Sequence, residues 1–276
     1  MKMKKYFTST ALILLLFLSS GFAAAADKSE RQADAAVRGL LKQSGVQGHI
    51  ANMPSIIARA LEQRQKELSL GPDGIDYTVI TRMLEQTYSE PAMTDRTVAN
   101  LVKGYDPNRY AYLQQVFASA PVQRLQKSKQ GLQAPDKAEE ISRWHNANPL
   151  LPARSELIAQ LDAVTAESQF VAGVQALSAV AMFNVVQAGE APDRPLPEQS
   201  LLEQSYQFYA RTSREQTQAM LAYALRDVAD EDVKKMIAAH QELPVQWFIE
   251  QAINAMSNAV LDPLPEIAAQ IRKARK

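Results

Sequence analysis

The chain has 276 residues, 46% of them hydrophobic, with 30 basic and 30 acidic side chains and no cysteine. The lack of thiols excludes disulfides, thiolate metal sites, a cysteine nucleophile and a lipid-modified cysteine. Packing alone must hold the fold, and the apolar share is sufficient for that.

The chain opens with Lys2, Lys4 and Lys5, an uncharged run from Ala11 to Leu18, and the small residues Ala23 to Ala26. A basic start, a short apolar centre and an Ala-x-Ala exit predict a signal peptide over residues 1–26, cleaved near Ala26–Asp27, and export to a Gram-negative periplasm. The apolar centre falls short of the ~20 residues needed to span a bilayer. Without those three lysines, 27 basic residues face 30 acidic ones, and four of the 27 lie in the last six residues, Ile271 to Lys276. An acidic body with a short basic end argues against a nucleic-acid partner. The end itself reads as a solvated tail, with membrane contact possible but not favoured.

Helix formers dominate the rest, and β-branched alternation is scarce. Ala35 to Gln43 reads as a helix ended by Ser44-Gly45, and a second is predicted from Pro54 to Leu68. Leu70 to Gly74 reads as a loop. Tyr77, Ile80, Met83, Leu84 and Tyr88 then keep helical spacing up to a break at Pro91. Helices follow over Thr94–Lys103 and Asn108–Ser119, with Pro121 in the first turn of another. Lys127 to Pro149 is polar and reads as a connector, interrupted by a short helix around Asp136 to His145. Beyond it, helices are predicted at Pro152–Val164 and Glu167–Gln187, and a loop at Gly189–Pro197. Four more cover Glu198–Ala210, Ser213–Asp227, Asp230–Glu242 and Pro244–Val260, ahead of Pro263, Pro265 and the tail.

The two sides of the connector resemble each other. Thr94 aligns with Thr217, and in that register Val98 meets Leu221, Leu113 meets Met236, and Pro121-Val122-Gln123 meets Pro244-Val245-Gln246. A slightly shorter shift aligns Leu40 with Leu161, Met53 with Val174 and Tyr88 with Tyr209. The agreement in helix order, breaks and apolar register predicts a tandem duplication. A repeat of about 120 residues exceeds the ~20–50 of a solenoid unit.

Chemical signatures are sparse. His49, His145 and His240 have no metal-ligand spacing among them, and neither a Gly-x-Ser-x-Gly elbow nor a phosphate-binding glycine loop occurs. His49 is expected to cap a helix start, His145 to be exposed, and His240, the register partner of Phe117, to pack on a helix face. Glu139-Glu140 and Asp230-Glu231-Asp232 are acid clusters, the latter placed to favour a helix dipole. Phe170 to Ala188 is uncharged and reads as a central core helix rather than a membrane span. Tyr105, Tyr110, Tyr112, Tyr206, Phe208, Tyr209 and Tyr223 form an aromatic set whose exposed members are candidates to line a groove.

The signal peptide, Leu40-Leu41-Lys42-Gln43-Ser44-Gly45, the helix through Pro54, and Tyr110 to Gln123 with Ser119-Ala120-Pro121 together resemble secreted bacterial proteins of the domain-of-unknown-function-2059 type. The resemblance covers about residues 36–130 and 157–255. It implies an all-helical, exported protein and carries over no catalytic residue. The second half departs from the pattern, with Glu242-Leu243-Pro244 in place of the serine.

These readings predict an all-α fold, a bundle of about ten to twelve helices in two duplicated halves. The expected segments are 1–26 signal peptide, 27–130 first repeat, 131–150 connector, 151–262 second repeat and 263–276 basic tail. The expected role is a non-catalytic interaction or ligand-binding module of the cell envelope, taking another envelope protein or an apolar ligand. No catalytic, metal or cofactor residue is assigned. The rivals are a carboxylate-dependent envelope hydrolase with a cleft between the halves, and a peripheral membrane protein.

Overall fold

A computed structural model describes residues 29–68, 77–132, 137–190 and 199–274. The predicted signal peptide, the 70–74 loop, most of the 189–197 loop and the last two residues lie outside them. Every regular element among the described residues is helical, so the all-α expectation holds.

The first helix, α1 (29–44), stops because Gly45 adopts φ +85°, a left-handed conformation that costs glycine little. A Cβ at Gly45 would also run into the Gln126 side chain, whose Nε2 donates to the Ser44 carbonyl at 2.8 Å. Helix α2 (Val46–Leu68) begins at once, eight residues before the predicted start at Pro54. Its buried stripe of Val46, Ile50, Met53, Ile57 and Leu61 outweighs the backbone bond that Pro54 forgoes inside the helix.

Then come α3 (Tyr77–Thr87), α4 (Glu90–Val102), α5 (Pro107–Phe117) and α6 (Ala120–Lys129). Pro91 opens α4 rather than only ending its predecessor, and Asp106 caps α5 by accepting from the Arg109 amide at 2.8 Å. The predicted connector contains α7 (Lys137–Ala147), which buries Ile141. Next are α8 (Pro152–Thr165) and α9 (Glu167–Glu190). α10 (Gln199–Ala224) is one helix where two were predicted. No proline or glycine interrupts it, and Ser213 is buried with its hydroxyl on Gln175 at 3.0 Å.

The last three helices are α11 (Asp230–His240), α12 (Leu243–Leu261) and α13 (Leu264–Ala274). The predicted solvated tail is thus helical to Ala274. Leu264, Ile267, Ala268 and Ile271 recur on one face and bury it on α9.

α9 is the one helix among the described residues long and apolar enough to cross a membrane, yet 61% of that window is buried by protein. It packs against α2, α10, α12 and α13. The main apolar interior joins α1 to α5 with α9, α12 and α13; a second joins α7, α8, α10 and α11 with Leu125 of α6. The interiors therefore cut across the two halves. Where α12 ends, its unpaired carbonyls find partners in the first half: Arg96 Nε reaches Ala259 O at 2.9 Å, and the Tyr88 hydroxyl reaches Val260 O at 3.0 Å.

Residues at the two sequence shifts sit in matching local structure. α2 and α9 start 121 residues apart, at Val46 and Glu167, each just after a left-handed residue, Gly45 and Ala166. α5 and α11 coincide end for end at a shift of 123, and α6 and α12 start at that same shift, at Ala120 and Leu243. Gln123 Nε2 donates to Phe117 O at 2.6 Å, and Gln246 Nε2 does the same to His240 O at 2.5 Å.

Candidate functional site

Helices α2, α7, α9 and α10 enclose a groove of about 620 Å³. α2 supplies His49, Asn52, Ile56 and Arg59, three or four residues apart and so on one face. Its aliphatic floor comes from Ile56, Ile141, Val171, Val174 and Met220. Its size and its aliphatic floor suit a small ligand, and ten of its 18 lining residues are polar or charged.

His49 belongs to two environments. It walls the groove, and it also lines a cavity of about 20 Å³ at the centre of the molecule. Its ring stacks on Phe170 with centroids 4.8 Å apart and planes 7° apart. Its Nε2 lies 3.3 Å from Glu167 Oε1, while Lys129 Nζ donates to Glu167 Oε2. Glu167 is only 3% exposed. Burial pushes its proton affinity up, but the Lys129 charge, with His49 beside it, outweighs that and holds the carboxyl well below the usual range. Glu167 therefore stays a carboxylate, tied on both oxygens.

His240 closes the same cavity. Its Nδ1 donates to the Met236 carbonyl at 2.8 Å, and burial pushes its pKa down despite that bond, so the ring is neutral near pH 7. Nearby, Asp162 caps the start of α9 by accepting from the Ser168 amide at 2.8 Å.

The residues singled out from sequence are placed as follows. His49 does not cap a helix, because a buried carboxylate from a helix distant in sequence claims it. His145 is half-buried rather than exposed, and its Nδ1 is buried on the groove without a hydrogen-bond partner. His240 is buried and packs, as expected. Glu140 pairs with Lys137 at 2.7 Å and accepts from Tyr223; Asp230 to Asp232 start α11 and meet Arg154 and Arg124. The aromatic set stays out of the groove, whose described lining contains no Phe, Tyr or Trp. Tyr110 is buried beside Tyr105, Trp247 and Phe248, Tyr223 meets Trp144 edge-on, and Phe208 is 77% exposed against Tyr209.

The arrangement is chemically quiet. Glu215 is the one carboxylate on the groove's described lining, and it is 3.7 Å from Arg211. The Ser55 hydroxyl is occupied by the Asn52 carbonyl at 2.9 Å, and no group of three His, Asp or Glu among the described residues is placed to hold a metal. Sequence reasoning missed the Lys129–Glu167–His49 cluster. Lys129 in a last turn and Glu167 in a first turn both look like ordinary dipole placements. Compared with known proteins, the chain matches no family model, no curated protein and no solved structure.

Proposed function

We propose that this is an exported envelope protein that binds an apolar ligand in the groove between α2, α7, α9 and α10, without catalysing a reaction on it. The supporting observation is the groove itself: an aliphatic floor of Ile56, Ile141, Val171, Val174 and Met220 within a lining that also carries polar groups. A two-carboxylate hydrolase needs a free acid and a free base facing one site, and here Glu215 faces the groove while Glu167 lies behind His49 in an ion pair. The basic N-terminal run and Ala23 to Ala26 support export. The matched helix starts and glutamine bonds support descent of the halves from one duplicated unit of the domain-of-unknown-function-2059 type.

The test is occupancy. Protein purified from envelope extract and examined by native mass spectrometry should carry one apolar molecule per chain, and Ile56→Trp, which fills the floor, should abolish it. An empty wild-type chain that also fails to bind 1-anilinonaphthalenesulfonate overturns the reading. Intact mass of the exported protein should place its first residue at Asp27.

A further inference from the structure

We propose that the groove holds a single-chain amphiphile with a carboxylate head, the alkyl chain lying on the aliphatic floor and the head meeting Arg59. This rests on reading the groove as a ligand site and goes on to specify the ligand. Three observations carry it.

The floor selects the body of the ligand. Flat rings such as nucleobases are held by stacking on aromatic faces, and the groove's described lining has none apart from the two histidines. Ile56, Ile141, Val171, Val174 and Met220 instead give a ringless surface, and the thioether can adjust to a flexible chain. At about 30 Å³ per non-hydrogen atom, the share one water takes in the liquid, 620 Å³ accommodates about 20 atoms. That is the size of a fatty acid.

The long axis sets the direction. His49 is 6% exposed and held flat against Phe170, which closes one end. Arg59 follows ten residues later on α2, about 15 Å along the helix at 1.5 Å per residue, and is exposed. The chain therefore enters toward Val171 and Val174, and the head stays at the wet end.

The charges select the head. Arg59 Nε donates to the Ser55 carbonyl at 3.2 Å, and no carboxylate among the described residues pairs with its guanidinium. A guanidinium with free N–H groups matches a carboxylate fork. The groove's own acid, Glu215, is exposed and lies 3.7 Å from Arg211.

The experiment is displacement of a dansylated fatty acid from the full mature chain by hexadecanoate, hexadecan-1-ol and butyrate. Hexadecanoate should displace the probe at one site per chain, butyrate should not, and the alcohol should be about tenfold weaker, as loss of a charge-assisted bond requires. Arg59→Gln should weaken hexadecanoate about tenfold, leave the alcohol unchanged and keep the far-ultraviolet circular dichroism of the wild type. Equal affinity for acid and alcohol, with no effect of Arg59→Gln, overturns the head assignment and leaves the groove reading standing. If neither long-chain ligand displaces the probe, the groove reading falls with it. Flotation on anionic vesicles without hexadecanoate displacement also overturns the proposal, because it makes a membrane surface the ligand.

Discussion

The small central cavity is lined by residues that pair at the two sequence shifts and differ in chemistry. Its lining includes Ser44 with Thr165, Val46 with Glu167 and His49 with Phe170, each pair 121 residues apart, and Phe117 with His240 and Gln126 with Ile249, each 123 apart. In four of the five pairs one member is apolar and the other polar or ionisable. Lys129, which completes the ion pair, has Ala252 as its partner at the same shift. Val46, Phe117 and Phe170 occupy the register positions of Glu167, His240 and His49. A buried ion pair adds little net stability over well-packed apolar groups, yet losing half of it leaves a stranded charge.

That contrast gives its sharpest test at Glu167. Glu167→Val, which installs the partner's residue, should cost about 3–5 kcal/mol in urea unfolding because Lys129 is left buried and unpaired. Adding Lys129→Ala, again the partner's residue, should restore most of that loss. If the double variant stays as unstable as the single one, the two sides are not interchangeable and the comparison breaks.

The junctions preceding the cavity come next. Gly45→Ala should cost about 2–3 kcal/mol, from left-handed strain and from displacement of Gln126 off Ser44 O. Ala166→Gly, the converse change at φ +53°, should gain about 0.5–1 kcal/mol and raise the melting temperature. A destabilising Ala166→Gly would mean that the Ala166 methyl, 5% exposed, matters more than its backbone strain.

Acid should act through the ionisable members of the pairs, His240 and Glu167. The folded pKa of His240 is depressed, so the unfolded chain takes up its proton first and stability falls as pH drops below the ordinary histidine value of about 6.5. The folded pKa of Glu167 is also depressed, so its contribution is present above the ordinary value of about 4.3 and is lost as pH falls further toward its folded pKa. Each limb slopes by at most about 1.4 kcal/mol per pH unit. His240→Phe should erase the upper limb and keep the lower one in urea midpoints measured from pH 7 to pH 4. An unchanged upper limb would assign it to another group.

The smallest effect is expected at the surface. Arg38 bridges Asp34 at 2.7 Å and Asp95 at 2.8 Å, but all three are substantially exposed. Asp95→Asn should change stability by less than about 1 kcal/mol, with the difference vanishing in high salt. A larger loss would show that burial is not what separates the two classes of ion pair.

Much of this architecture is legible before folding. Pro107, Pro121, Pro152 and Pro244 each stand in the first turn of a helix, and their fixed φ and missing N–H mark those starts without reference to any neighbour. The apolar periodicity over α8, α9 and α12 gave bounds within three residues of those observed. The reading erred where tertiary burial overrides a local cue. Pro54 resembles a helix start but lies inside α2, and Arg211 and Thr212 resemble a gap but continue α10.

The sequence by itself determined the helical character, most helix boundaries and the lack of thiol chemistry. Those follow from periodicity, backbone restriction and composition, which act over a few residues. Tertiary structure alone decided that Lys129, Glu167 and His49 meet, that His145 lines a groove with an unpaired nitrogen, and that Arg59 lines the same groove. Contacts between residues far apart in the chain depend on how helices pack, and a charge at a helix end looks the same in sequence whether solvent or a buried partner receives it.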